Sequence, residues 1–325
     1  MTSNTSSPNA YPIEIHPPDI TAYRAGNTGV DYVTTFDSGT AGPHVMVSAV
    51  VHGNELCGAM ALDFLFRQDV RPVQGRLTLA FVNVAAYESF DPEKPNASRY
   101  LDEDFNRVWS AAVLEGSRDS IELRRARELR PVMDSVDLLL DIHSMQHPTV
   151  PLIMAGPLPK GRSLARSVGT PQTVVSDAGH AAGTRLRDYA AFGEAESARN
   201  ALLVECGQHW EADAPKVAIE TALRFLLHTG SITPEFAAPH LAREAPPAQR
   251  FIEVTGPVTI ETDRFKFAAD YRGMEVIAEA GTVIGHDGET PVATPYDGCV
   301  LIMPSRRLRK GESAVRFGRY LEAGR

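Results

Sequence analysis

Runs of aliphatic and β-branched residues recur along the first two-thirds of the chain, and the stretches between several of them space their apolar residues for a helix. HVMVSAVV at 44–51 is a nearly continuous apolar run, the pattern of a strand buried on both faces. ELCGAMALDFLFRQ at 55–68 follows it and suits a helix packed on a sheet. RLTLAFVNV, SVDLLLDIH, VPLIMAG and NALLVECG read as further buried strands, with helices expected in RDSIELRRARELRPVMDS and PKVAIETALRFLLHT. Strands alternating with helices predict an α/β domain built on a mostly parallel sheet.

The pattern changes near residue 236. GSITPEFAAPHLAREAPPAQ has four prolines and no periodic face, which predicts a linker over 236–250. Beyond it, FIEVTGPVTI, MEVIAEAGTVIG, TPVATPYDGCVLIM and SAVRFGRY are short β-prone stretches between Gly, Asp and Pro turns. The expectation is a disordered tail over 1–10, a catalytic domain over 11–235, and a small all-β domain over 251–325.

Composition narrows the function classes. The 325 residues carry 41 Asp and Glu against 32 Lys and Arg, a formal net charge of −9. With no basic cluster beyond Arg306 to Lys310, nucleic acid is not the expected partner. No apolar run approaches the 18 or so residues of a membrane span, and the N-terminus lacks a signal-peptide pattern. Cys57, Cys206 and Cys299 form no CxxC pair, so neither a disulfide framework nor a cysteine zinc site is supported. A cytoplasmic setting fits, and a homo-oligomer stays open.

The strand ends hold the chemistry. The run 44–51 leads into His52-Gly53-Asn54-Glu55, and LLLDIH ends on His143, 91 residues after His52. In open α/β sheets sites lie at the carboxyl ends of strands, and two histidines with one glutamate suit a catalytic zinc that keeps a position for water. A third run presents Glu205, whose carboxylate would be costly there unless a metal, a cation or a water meets it. The loop SRYLDEDFNR at 98–107 adds Arg99, Asn106 and Arg107. Alone it reads as a charge-balanced connector; beside a zinc its guanidinium groups suit a carboxylate or an oxyanion.

With these motifs the chain resembles the succinylglutamate desuccinylase and aspartoacylase family of the zinc carboxypeptidase superfamily. His52-Gly-Asn-Glu55, Asp141-Ile-His143, the Arg99 to Arg107 loop and Val204-Glu205 match four of its motifs in order, over about 155 residues. The resemblance implies a zinc-carboxypeptidase-like, mostly parallel mixed sheet with flanking helices, and a β-rich tail that narrows access to the site. It further implies one zinc per chain held by His52, Glu55 and His143, and Glu205 as general base. Arg99 would stabilise the oxyanion, and Asn106 and Arg107 would hold the substrate α-carboxylate. Asp141 is equally suited to support His143 or to a structural role.

Aspartoacylases carry a substrate arginine ten residues before the base, where this chain has Ala195; Arg185, Arg187 or Arg199 are candidate substitutes. A dicarboxylic substrate is weakened, and a mono-acylated diamino acid stays open. The tail is faintly similar to a biotinyl or lipoyl hairpin but lacks the attachment lysine. Tyr296, His286 and His180 are weaker site candidates, while Cys57 and Cys206 read as buried small hydrophobes. The expected function is a zinc amidohydrolase that removes an acetyl or succinyl group from a small N-acyl amino acid. The alternatives are a carboxypeptidase acting on short peptides and a metal-dependent binding protein without turnover.

Overall fold

The apolar runs become the centre of one large sheet. In the computed structural model, which describes residues 11–179 and 182–322, the first seven strands are β1 (Val33–Asp37), β2 (His44–Ala49), β3 (Arg76–Phe81), β4 (Leu138–Met145), β5 (Leu152–Met154), β6 (Thr173–Ser176) and β7 (Asn200–Gln208). Residues 1–10, expected to be a disordered tail, and His180 lie outside the described residues. Helices α1 (Leu56–Arg67), α2 (Val84–Glu88), α3 (Ala111–Leu114), α4 (Ile121–Met133), α5 (Pro159–Val168), α6 (Ala214–His228) and α7 (Pro234–Ala237) fill the connections. The tail supplies β8 (Arg250–Thr259), β9 (Phe265–Phe267), β10 (Val276–Ile277), β11 (Val283–Asp287), β12 (Thr290–Ala293), β13 (Cys299–Ile302) and β14 (Ser313–Tyr320).

Alternation along the strands sorts the core into layers. Val45, Val47, Leu140, Ile142, Leu202 and Val204 face α1 and α6, whereas Met46, Leu139 and Ala201 face α4 and the fully buried Trp109. Strands covered on both faces cannot alternate polar with apolar residues, which is why their sequences read as unbroken runs. The central pairs β3–β2, β2–β4 and β4–β7 are parallel. β1 and β5 join antiparallel to β3 and β7, so the sheet is mixed.

The tail strands continue this sheet. β8 pairs in parallel with β6, and β14, β13 and β10 follow antiparallel, giving the order β1-β3-β2-β4-β7-β5-β6-β8-β14-β13-β10. A separate antiparallel sheet of β12, β11 and β9 packs beside them. The segment read as a linker contains α7's last residues and a 3-10 turn, Ala238–His240, before β8 begins. The continuity carries residues from β13 and β14 to the carboxyl ends of β4 and β7.

Candidate active site

After β2 the chain turns through Val50, a β-branched residue at φ +58°, a conformation that persists only where the surroundings over-determine it. The turn delivers His52. Gly53 is required by close approach: a Cβ there would lie 2.2 Å from the Ala86 carbonyl carbon and 2.5 Å from the Ser98 oxygen. Its N–H donates to the Arg99 carbonyl at 3.2 Å, tying the turn to the 98–107 loop. Glu55 stands at the N-cap of α1, yet its side chain does not cap the helix; Oε2 accepts the Ser144 N–H at 3.2 Å instead.

His52, Glu55 and His143 converge, all three buried, with one ligand atom from each within 4.8 Å of the others. Nδ1 of His52 lies 2.7 Å from Glu55 Oε1, and Nδ1 of His143 lies 2.9 Å from Oε2. Each ring is held from its far side by a carboxylate: His52 Nε2–H donates to Asp104 at 3.0 Å, and His143 Nε2–H donates to Asp141 at 2.8 Å. Asp141 is itself fixed by the Ser48 hydroxyl at 2.6 Å. This support selects the tautomer that leaves both Nδ1 lone pairs facing inward, the arrangement a metal-binding histidine needs. Two imidazoles and a carboxylate fit a zinc with an open fourth position.

Strand register brings in Glu205. Glu205 on β7 pairs with His143 on β4, and its Oε2 is buried with no hydrogen-bond partner among the described residues. Burial first, then the charge of Glu55, pushes its pKa up to about 8. A buried carboxylate with an unused oxygen is costly unless a ligand meets it, and here it lies beside Glu55 and His143.

The 98–107 loop closes the other side. Arg99 lies 3.1 Å from Asp104 and 3.6 Å from Glu55; burial pulls its pKa down, but these two carboxylates outweigh it and hold it raised. Asn106 Oδ1 accepts the Leu186 N–H at 2.8 Å, which leaves its amide nitrogen as the donor for the cavity it lines. Arg107 donates to the Asn106 carbonyl at 2.7 Å, and burial lowers its pKa.

His52, Glu55, His143, Glu205, Arg99, Asn106 and Arg107 all line one cavity of about 490 Å³. Of the candidate substitutes for the missing arginine, only Arg185 reaches it. Arg187 donates to the carbonyls of Ala155 and Ala201, and Arg199 to those of Met133 and Val136. Ala195 is exposed and away from the cavity, and Tyr296 and His286 are absent from its lining. Tyr296 meets Thr255 at 2.6 Å beneath the Arg319 guanidinium. Cys57 and Cys206 are fully buried thiols in the core.

The lining residues to which the sequence reading gave no role include Asp104, His209 and Arg316. Asp104 falls inside the matched Arg99 to Arg107 motif, and that membership was its signal. His209 Nδ1 pairs with the Ser144 hydroxyl at 2.9 Å, and burial pushes its pKa down to about 3, so it is neutral. Arg316 comes from β14, and no local motif marked it.

The profile of the succinylglutamate desuccinylase/aspartoacylase catalytic domain matches residues 41–229. The chain belongs to this family. It is accordingly a deacylating hydrolase of the desuccinylase and aspartoacylase type. Solved family structures share the fold. A succinylglutamate desuccinylase from Vibrio cholerae is 19% identical with a TM-score of 0.66, covering 89% of this chain and 85% of that one. A succinylglutamate desuccinylase/aspartoacylase from Rhodobacter sphaeroides is 19% identical with a TM-score of 0.62, covering 89% and 88%. A product-bound ectoine utilization protein from Ruegeria pomeroyi is 16% identical with a TM-score of 0.57, covering 90% and 92%. No curated protein matches the chain. Among the described residues no helix is long and apolar enough to cross a membrane.

Proposed function

We propose that this family member is a zinc-dependent amidohydrolase that removes an acyl group from a small N-acyl amino acid. The observation that carries the reading is the convergence of His52, Glu55 and His143 with the unpartnered carboxylate oxygen of Glu205. Those three side chains would hold the ion, one per chain. Bound there, zinc supplies Lewis acidity, lowering the pKa of a coordinated water and polarising a carbonyl.

The chain's own groups divide the remaining work. Asn106 and Arg107 bind the substrate α-carboxylate and fix the amide. Arg99 meets the oxygen that gains charge as the carbonyl becomes tetrahedral, and burial strengthens that attraction. Glu205 takes a proton from the attacking water at Oε2 and passes it to the leaving amine. Asp104 and Asp141 hold the two imidazoles in the required tautomer. Segment 303–316 forms one wall of the cavity, which favours a small molecule over an extended peptide. The three buried thiols are compatible with a cytoplasmic setting.

The test is amine release, followed by mass, from the zinc-loaded protein given N-acetyl and N-succinyl amino acids beside short peptides. Release from an acyl amino acid that stops with a chelator and returns with zinc is the expected result. Cleavage of peptides alone would move the chain to the carboxypeptidases, and silence across the panel with zinc bound would favour a binding protein. Glu205→Gln should keep zinc by elemental analysis while kcat falls at least about a hundredfold.

A further inference from the structure

The cavity has two ends that share the metal-binding group. The charges acting most strongly on Arg107 are those of Asp104, Arg99, Arg185 and Arg316. On His209 they are those of Glu55, Arg99, His52 and His147. Only Arg99 is common to both sets, which places Arg107 and His209 to different sides of His52, Glu55 and Arg99. With the substrate α-carboxylate on Asn106 and Arg107 and the amide at the metal-binding group, the acyl group extends towards His209.

Three segments build that end into one wall. The His209 N–H donates to the Met145 carbonyl at 2.9 Å, the Gln208 side chain donates to the Gln146 carbonyl at 3.3 Å, and the Trp210 indole donates to the Asn54 carbonyl at 3.2 Å. From this wall Asn54, Ser144, Gln146, His147 and His209 line the cavity. None of them carries a charge: burial lowers the pKa of His147 to about 4 and that of His209 to about 3. His209 is 2% exposed. Its Nδ1 meets the Ser144 hydroxyl at 2.9 Å, and Nε2 has no partner among the described residues. If the hydroxyl donates to Nδ1, Nε2 carries the proton; if Nδ1–H donates to the hydroxyl, Nε2 offers a lone pair. The pair therefore meets a donor or an acceptor equally well. Further out, His147 Nδ1 meets the Tyr11 hydroxyl at 2.8 Å, and its Nε2 is buried without a partner. Buried polar atoms of this kind are costly until a ligand meets them. A carboxylate entering here would lose its water beside Glu55 and find no cation on the wall itself, since Arg306 beyond His147 is paired with Asp270. A hydroxyl or an amide matches the wall without that cost.

We infer that His209, set by Ser144, is the specificity-determining residue for the acyl group, and that it selects an uncharged acyl group carrying a hydroxyl or an amide over one carrying a carboxylate. The inference rests on the deacylase reading and narrows it. The substrate is held at one end by the guanidinium of Arg107 and at the other by neutral hydrogen bonds.

The experiment uses the full zinc-loaded chain as wild type, His209→Leu and His209→Gln. Two matched pairs are made on the amino acid released fastest in the panel above, or on alanine where none is released. N-glycolyl against N-acetyl adds one hydroxyl, and N-succinamoyl against N-succinyl replaces a carboxylate by an amide of the same shape. In wild type, kcat/KM should favour the glycolyl and the succinamoyl members by about tenfold each, the scale of one neutral hydrogen bond. His209→Leu should bring the glycolyl ratio towards one, through KM more than through kcat. His209→Gln, whose amide also donates and accepts, should restore part of it. A glycolyl ratio near one in wild type, or a preference for succinyl over succinamoyl, would overturn the inference. So would an equal fall in kcat for all four compounds in His209→Leu, which would put the ring on the reacting carbonyl oxygen instead. Calorimetric binding of the four compounds to the zinc-loaded Glu205→Gln protein reads the ratios without turnover. It keeps the two claims apart: no turnover of any compound by wild type counts against the deacylase reading, and equal affinities within the pairs count against His209. If His209→Leu fails to fold, the Gln variant and the wild-type ratios still decide.

Discussion

Glu205 shows what a single buried residue contributes and what it costs. Its pKa is raised from 4.5 to about 8, so the folded chain holds this proton more tightly than the unfolded chain does. A group raised on folding stabilises fully below its unfolded value, and that contribution is lost as the pH climbs through the folded value. The metal-free protein should therefore lose stability between about pH 4.5 and about pH 8. Glu205→Gln should flatten this slope, since an amide keeps the shape and cannot ionise. Urea unfolding at several pH values, with chelator present, checks it; a slope that survives the substitution would mean another group titrates there. The residue itself was legible because a glutamate ending an apolar run is rare enough to ask for a reason. Arg316 was not, because its position depends on β14 pairing with β8, and β8 with β6, contacts between segments far apart in the chain.

At the scale of elements, the 98–107 loop holds four of the site's side chains with only two 3-10 turns, Ala97–Arg99 and Phe105–Arg107, as regular structure. Its support comes from the first turn of α4. Glu122, fully buried, accepts the N–H groups of Leu101, Asp102 and Glu103 at 2.7, 3.1 and 3.2 Å. Asp102 returns the favour by accepting the Ile121 N–H at 2.8 Å, and the Ser120 hydroxyl donates to Glu103. Negative charge at a helix N-terminus is favourable in its own right. Glu122→Ala would leave three loop N–H groups without an acceptor, and a loss of about 2 to 4 kcal/mol is expected. Because Arg99, Asp104, Asn106 and Arg107 ride on that loop, kcat/KM should fall as well. Thermal melting and kinetics on the same preparation decide; a lower Tm with unchanged kcat/KM would show that the loop keeps its shape without this cap. The sequence showed the loop's charges but not their anchor, since Glu122 reads there as one more solvent-facing residue of an amphipathic helix. β2, β4 and β7 were legible from their unbroken apolar runs. β6 has four residues and α5 a glycine among few apolar positions, too little pattern for either to stand out.

For the whole molecule, two electrostatic terms of opposite sign act on an anionic substrate. The chain carries −9 overall, whereas the cavity is lined by eight arginines against four aspartates and glutamates. Arg307 and Arg309 are exposed at its mouth, while Arg306 is paired with Asp270. Range decides which term wins. At about 0.01 M salt the screening length is about 30 Å, so the approaching anion feels the whole chain's repulsion; at about 0.1 M it is about 10 Å and the mouth dominates. By about 1 M the length is about 3 Å and the mouth is screened too. For a substrate with two carboxylates, kcat/KM should therefore rise and then fall with salt, while a neutral-tailed congener shows a weaker curve. Replacing Arg307 and Arg309 together with alanine should lower the maximum, because the local attraction weakens and the distant repulsion stays. A steady fall from the lowest salt would mean that the mouth governs encounter at every distance, so that overall charge is irrelevant. A flat profile would mean that neither term steers the substrate, and recognition would then rest on buried groups such as Arg107, which bulk ions reach poorly.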